Sequence, residues 1–217
     1  MTGNVFSSKK QKIGGGFHVW QSVDRNRLVG GNLYVPAGQT LTEYYGLDTV
    51  IPAGTAVYLP QAGAQAKILQ TFELAEAITA TSTVLSFLAG GNVPQLKSGM
   101  AIMVAPDKFT ETGDAISTGT VVKNPTTGYL EVTITANALG VLPAGTVFVK
   151  AQAAGTDQRM EDINPNGFTM DDIPILEGAF YATVTVSTHG VLREDLVSPI
   201  PQFVKDKLPT INFEKGV

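Results

Sequence analysis

Two histidines, His18 and His189, and no cysteine leave this chain few residues able to act as general base, thiolate nucleophile or soft metal ligand. His18 lies two positions before Trp20 in a short apolar segment, and His189 precedes Gly190 at the end of another. Neither has a zinc spacing, a nucleophile elbow or a triad-like context, and a general base needs a partner within hydrogen-bond reach. The expectation is structural or surface histidines in a chain that is not an enzyme. Glycosidic cleavage would need two carboxylates placed across a bond, and only a folded structure can assemble those.

One segment has partial metal-ligand spacing. Asp162, Asn164 and Asn166, followed by Gly167, set side-chain oxygens at alternate positions before a glycine, as the first half of a calcium loop does. The twelfth position is Ile173, where a bidentate glutamate belongs, and Pro165 stands between two of the ligands. These residues are a candidate calcium site on one reading and Asx-type turns in a polar loop on the other. No other cofactor is implied. The glycines at 14–16, 30–31 and 90–91 lack the spacing and the following helix start that cradle a pyrophosphate. A formal charge of -4 gives no net field to draw the chain onto nucleic acid. No apolar run approaches the roughly 18 to 20 residues of a membrane span, and no signal peptide is visible.

The elements that must position these residues read as all-β: small β-barrel or β-sandwich units with proline-glycine turns and one short C-terminal helix. Short apolar segments divided by turn signals predict strands at 17–20, 32–35, 56–59, 66–69, 83–88, 100–104, 120–123, 130–135, 146–151 and 180–186. Leu130, Val132 and Ile134 alternate with Glu131, Thr133 and Thr135, the period of a strand with one wet face. Phe180, Ala182, Val184 and Val186 alternate in the same way with Tyr181, Thr183 and Thr185. Residues 72–78 contain good helix formers but read as strand by context. Pro201 starts the one helix, Phe203, Val204 and Leu208 share its face, and Pro209 stops it. The turns at 35–38, 51–54 and 142–145 share a Pro-Ala-Gly core, with proline presetting φ at the second position. The last two record either a duplicated small unit or one turn solved twice.

The chain divides into a flexible basic arm at 1–16, a β-rich body at 17–152 of one or two small units, a loop or linker at 153–172, and a strand-helix-tail segment at 173–217. Lys9, Lys10 and Lys12, followed by Gly14, Gly15 and Gly16, form either a solvated tail or an arm that orders on a partner, and are the candidate attachment residues. Leu196, Ile200 and Phe203 lie among prolines in an apolar terminal stretch that needs a surface to bury against, making them candidate contacts to another subunit. Tyr44, Tyr45 and Trp20 are either buried or exposed as stacking platforms for a carbohydrate or host-surface ligand.

The run Ala77 to Thr83, the stretch Leu96-Lys97-Ser98-Gly99-Met100 and the segment Leu139 to Phe148 resemble phage head-fibre and head-decoration proteins. The order His189-Gly190-Val191-Leu192-Arg193-Glu194-Asp195-Leu196, then Pro199, Pro201, Lys205, Leu208-Pro209 and Ile211-Asn212-Phe213, is similar to the terminal module of head-fibre proteins from phages of gut Bacteroidetes, crAss-like phages included. The resemblance covers most of residues 50–217. It implies a virion structural protein on the outer capsid surface, attached to the major capsid protein, forming a homo-oligomer (trimer or dimer), with other head proteins or host glycans as further partners. A carbohydrate- or host-surface-binding adhesin on the same scaffold is the alternative.

Overall fold

The computed structural model describes residues 19–45, 50–88, 96–135 and 139–215. The arm residues Lys9, Lys10 and Lys12, and His18, lie outside the described residues. The chain is all-β, with eighteen strands in the described residues: β1 (Trp20–Val23), β2 (Leu28–Leu33), β3 (Val50–Ile51), β4 (Ala56–Tyr58), β5 (Gln65–Ile68), β6 (Thr71–Glu73), β7 (Val84–Phe87), β8 (Ala101–Val104), β9 (Thr112–Ser117), β10 (Val121–Lys123), β11 (Leu130–Thr133), β12 (Val147–Lys150), β13 (Gly155–Arg159), β14 (Gly167–Thr169), β15 (Ile173–Pro174), β16 (Thr183–Ser187), β17 (Gly190–Arg193) and β18 (Ile211–Glu214). Two short helices accompany them, α1 (Leu41–Tyr45) and α2 (Gln202–Lys207). The C-terminal helix stands where the sequence placed it.

Strands β14, β16, β2, β5 and β4 close into a barrel. Leu33, Val57, Ile68, Val184 and Val186 fill it, so the alternation read at 182–186 does face a core. Phe180 departs from that alternation. β16 begins only at Thr183, and Phe180 and Tyr181 are 70% and 73% exposed in the preceding loop. Between β5 and β14 the chain inserts a second β unit. Its sheets, β13-β9-β8-β12-β6 and β10-β11-β7, enclose Phe72, Phe87, Ile102, Ile116, Val132 and Phe148. Phe87 meets Phe148 edge to face at 5.3 Å between centroids, a geometry worth about 0.5–1.5 kcal/mol beyond area burial.

The run Val147-Phe148-Val149 shows why alternation is absent there. Phe148 belongs to the core of the inserted unit, whereas Val149 on the opposite face joins a third cluster with Met103, Ala115, Phe168 and Leu192. A strand buried on both faces reads as a continuous apolar run. The third cluster welds the inserted unit to the terminal sheet β1-β17-β18, in which β17 and β18 run parallel.

Two boundaries differ from the sequence reading. Residues 153–172 are not a linker: β13 is the outer strand of the five-stranded sheet and β14 closes the barrel. Residues 173–217 are not a separate segment either, because β16 pairs with β2 along five residues and β17 pairs with β1. Polar, glycine-rich sequence suggested a break, and long-range pairing overrode it. The three Pro-Ala-Gly turns share one geometry, with Gly38, Gly54 and Gly145 at φ of 82°, 76° and 83°. Thr55 and Thr146 each donate a hydroxyl hydrogen bond at 2.7 Å to the turn proline's carbonyl, Pro52 and Pro143.

Candidate functional site

The candidate site is a cleft at the seam between barrel and inserted unit. Its first wall comes from a capping box that the sequence carries as Thr40-Leu41-Thr42-Glu43. The Thr40 backbone N–H donates to Glu43 Oε2 at 2.6 Å and the Glu43 N–H donates to Thr40 Oγ1 at 3.2 Å. Reciprocal satisfaction of two helix-start donors is what stabilises a helix as short as α1. These bonds favour the charged form and hold the Glu43 carboxyl below the usual carboxylate value. The helix thereby fixes Tyr44 and Tyr45. Tyr45 is buried and its hydroxyl donates to the Tyr34 carbonyl at 2.8 Å, while burial raises its phenol well above the usual range.

Tyr44 is half-buried at the cleft, edge-on to Tyr34 at 6.2 Å and to Tyr45 at 4.8 Å. Lysine ammonium groups sit over two of these rings, Lys67 at 5.4 Å from the Tyr34 centroid and Lys97 at 5.9 Å from the Tyr44 centroid. Lys97 also donates to the carbonyls of Tyr44 and Glu43. Burial, then the nearby Lys150 charge, lowers the Lys97 pKa, and burial raises that of Tyr44. The opposite rim is set by Thr118, a buried hydroxyl that accepts from the Met100 N–H at 2.9 Å and donates to the Lys97 carbonyl at 2.6 Å. Lys150, at the groove, and Glu161, at the smaller pocket, form a 2.8 Å ion pair.

Two abutting hollows share Tyr44 and Gln70: a pocket of about 120 Å³ against Tyr34, Lys67 and Glu161, and a more open groove of about 330 Å³ running past Lys97 and Lys150. Gln70 sits in the crossover from β5 to β6 and is 6% exposed. Its carboxamide has no hydrogen-bond partner among the described residues, yet no fully enclosed side-chain nitrogen or oxygen there lacks one. The amide therefore reaches solvent, and the cleft it lines is the opening available to it.

The residues singled out from sequence mostly lie elsewhere. The calcium candidates are engaged in structural bonds: Asn166 Oδ1 accepts from the Leu59 N–H at 2.9 Å, its Nδ2 donates to the Leu59 carbonyl at 2.7 Å, and Asn164 Oδ1 accepts from the Lys207 ammonium. A lysine stands where a cation would have to bind, and among the described residues no group of acidic or histidine ligands converges. Asp162 lines the smaller pocket. Ile200 and Phe203, expected to contact another subunit, are 8% and 5% exposed within the chain's own third cluster, and only Leu196, at 48%, is open. The apolar terminal stretch finds its surface within the same chain. Trp20 is buried, with Nε1 donating to the Thr169 carbonyl at 3.1 Å, whereas Tyr44 and Tyr45 both line the smaller pocket, and of the three aromatic platform candidates Tyr44 alone is not fully buried. His189 pairs through Nδ1 with Thr188 Oγ1 at 2.8 Å.

Tyr34, Lys67, Gln70, Lys97, Lys150 and Glu161 had no local motif to mark them, since they come from separate segments; the capping box was the available signal for α1. No protein-family model matches the chain, and comparison with characterised proteins and with solved structures finds no match.

Proposed function

We propose that the chain is a structural protein on the outside of a bacteriophage capsid, a head-fibre or decoration protein that binds the major capsid protein as a homo-oligomer and performs no chemistry of its own. The observation that carries this reading is a clasp of two strands far apart in the chain. Trp20–Val23 and Ile211–Glu214 flank the same strand, Gly190–Arg193, in one sheet. That sheet packs on the core shared with the inserted unit. A clasped, interlocked body suits a module that must survive on a particle surface. The stretches resembling head-fibre proteins, 77–148 and 189–213, include most of the inserted unit and, of the clasp, Gly190–Arg193 and most of Ile211–Glu214 but not Trp20–Val23. Oligomers are most often symmetric, and binding only to the assembled shell would stabilise it by mass action.

The test is addition of recombinant protein to capsids lacking it. Saturable binding is expected, with loss when Lys9, Lys10 and Lys12 are changed together to glutamate. Wild-type protein that fails to bind overturns the proposal.

A further inference from the structure

We infer that the seam cleft is a binding site for a neutral saccharide, with two adjacent sugar subsites meeting at Gln70 and Tyr44. The Gln70 carboxamide, on a residue nine-tenths buried, has no protein partner among the described residues and lies at both hollows, so its hydrogen bonds are made to solvent there and are open to exchange for a ligand's. It offers one acceptor and two donors, the combination that matches sugar hydroxyls, each of which donates and accepts.

The surrounding chemistry narrows the class. Lys67, Lys97 and Lys150 are offset by Glu43, Glu161 and Asp162, and Lys150 is already paired with Glu161. Among the described residues the cleft has no excess of either sign and so favours neither an anionic nor a cationic ligand. A nucleotide would require a phosphate cradle and an open ring face for its base. Here ammonium groups lie over Tyr34 and Tyr44 and the rings meet one another edge-on. The larger hollow, about 330 Å³, falls at the lower end of the roughly 300–1,000 Å³ typical of small-ligand sites. The half-buried Met100 supplies apolar surface at the groove for the C–H face of a pyranose.

The inference goes beyond capsid attachment and is tested separately from it. Full-length protein is applied to an array of neutral, acetamido, sialylated and sulfated oligosaccharides, with the strongest neutral disaccharide then titrated by calorimetry. Binding of at least one neutral saccharide is expected, weakened tenfold or more by Gln70→Met, which keeps the side-chain length and removes its hydrogen bonds. Ser98→Trp, on the exposed rim turn, blocks the groove without touching a core and should abolish binding even where Gln70→Met disturbs folding. Array silence toward every neutral saccharide overturns the inference, as does saccharide binding indifferent to Ser98→Trp, or preferential binding of the charged sugars. Ser98→Trp leaves capsid binding unchanged, so loss of the saccharide result with capsid binding intact removes this inference alone.

Discussion

Asn166 offers a perturbation whose size can be worked from the structure. Its carboxamide meets both backbone groups of Leu59, accepting at 2.9 Å and donating at 2.7 Å, and so continues the β4–β14 pairing one residue past the end of β4. Leu59 is buried, so Asn166→Ala strands an N–H and a C=O without access to water. At roughly 1–3 kcal/mol for each of the two buried groups left unsatisfied, the loss is about 2–6 kcal/mol. With a urea dependence of about 1–3 kcal/mol per molar, the midpoint should fall by about 1 M or more. Trp20, the sole tryptophan and a buried one, reports the transition by its emission. Asn166→Asp sharpens the test, because an ionised carboxylate keeps the acceptor and sets a second oxygen against the Leu59 carbonyl. That clash favours the protonated form when folded, raising the folded pKa of the new carboxyl above its unfolded value near 3.9. The folded state then binds the extra proton, so this variant's stability falls as pH rises from about 4 toward that folded value. Millimolar calcium should leave the midpoints of wild type and both variants unchanged. An unaltered midpoint in Asn166→Ala would refute the pairing argument, and calcium rescue of Asn166→Asp would restore the calcium-loop reading.

Two further outcomes follow from other contacts. Burial raises the Asp172 pKa above 3.8 even though its Oδ1 accepts from the Ala53 N–H at 2.8 Å. A raised folded pKa means stability is lost as pH climbs from 3.8 through the folded value. Asp172→Asn, which keeps the acceptor, should therefore raise the urea midpoint at pH 7, leave it unchanged at pH 3 and flatten the profile between; a parallel profile would show that the charge is not the cause. Gly190 has φ of 150°, and a Cβ there would lie 2.4 Å from the Ser22 carbonyl oxygen and 3.0 Å from the Trp20 ring. Gly190→Ala should destabilise by more than about 2 kcal/mol and red-shift Trp20 emission in the native state, whereas native emission at the wild-type wavelength would mean β1 does not pair as described.

What sequence reasoning reached was set by the range of the interactions concerned. Leu130-Glu131-Val132 carries its own period and its own wet face, and β11 formed there; Pro201 and Pro209 bracket α2 by local backbone chemistry. Gly167-Phe168-Thr169 carries no such signal. It is a strand because Val57 and Ser187 lie on either side of it, Val57 110 residues before its partner Gly167 and Ser187 19 after its partner Phe168. Asn164 and Asn166 look like ligands or turn formers from their spacing, and their actual partners, Lys207 and Leu59, are visible only once the chain has folded. Ile200 and Phe203 were legible as apolar and in need of cover, but sequence could not say that the cover lies in the same chain.

The candidate cleft is illegible for a more specific reason, which lies in the topology. The barrel is interrupted between β5 and β14 by the inserted unit, so the chain leaves and re-enters at neighbouring points. Gln70 is in the outgoing crossover, and Glu161, Asp162 and Ile163 are in the returning one. Crossovers carry side chains that the strand periodicity does not place, and at this seam the returning one is anchored by Ile163 in the buried cluster that the β units on both sides share. Lys97, from the rim turn fixed by Thr118, and Tyr44, from α1 of the barrel half, close the hollow from opposite units. A ligand bridging them would bind one arrangement of the two units and would stabilise it by its own binding free energy. Unfolding of the inserted unit and of the barrel should then shift together on saturation with the array-selected disaccharide, with no shift in Ser98→Trp.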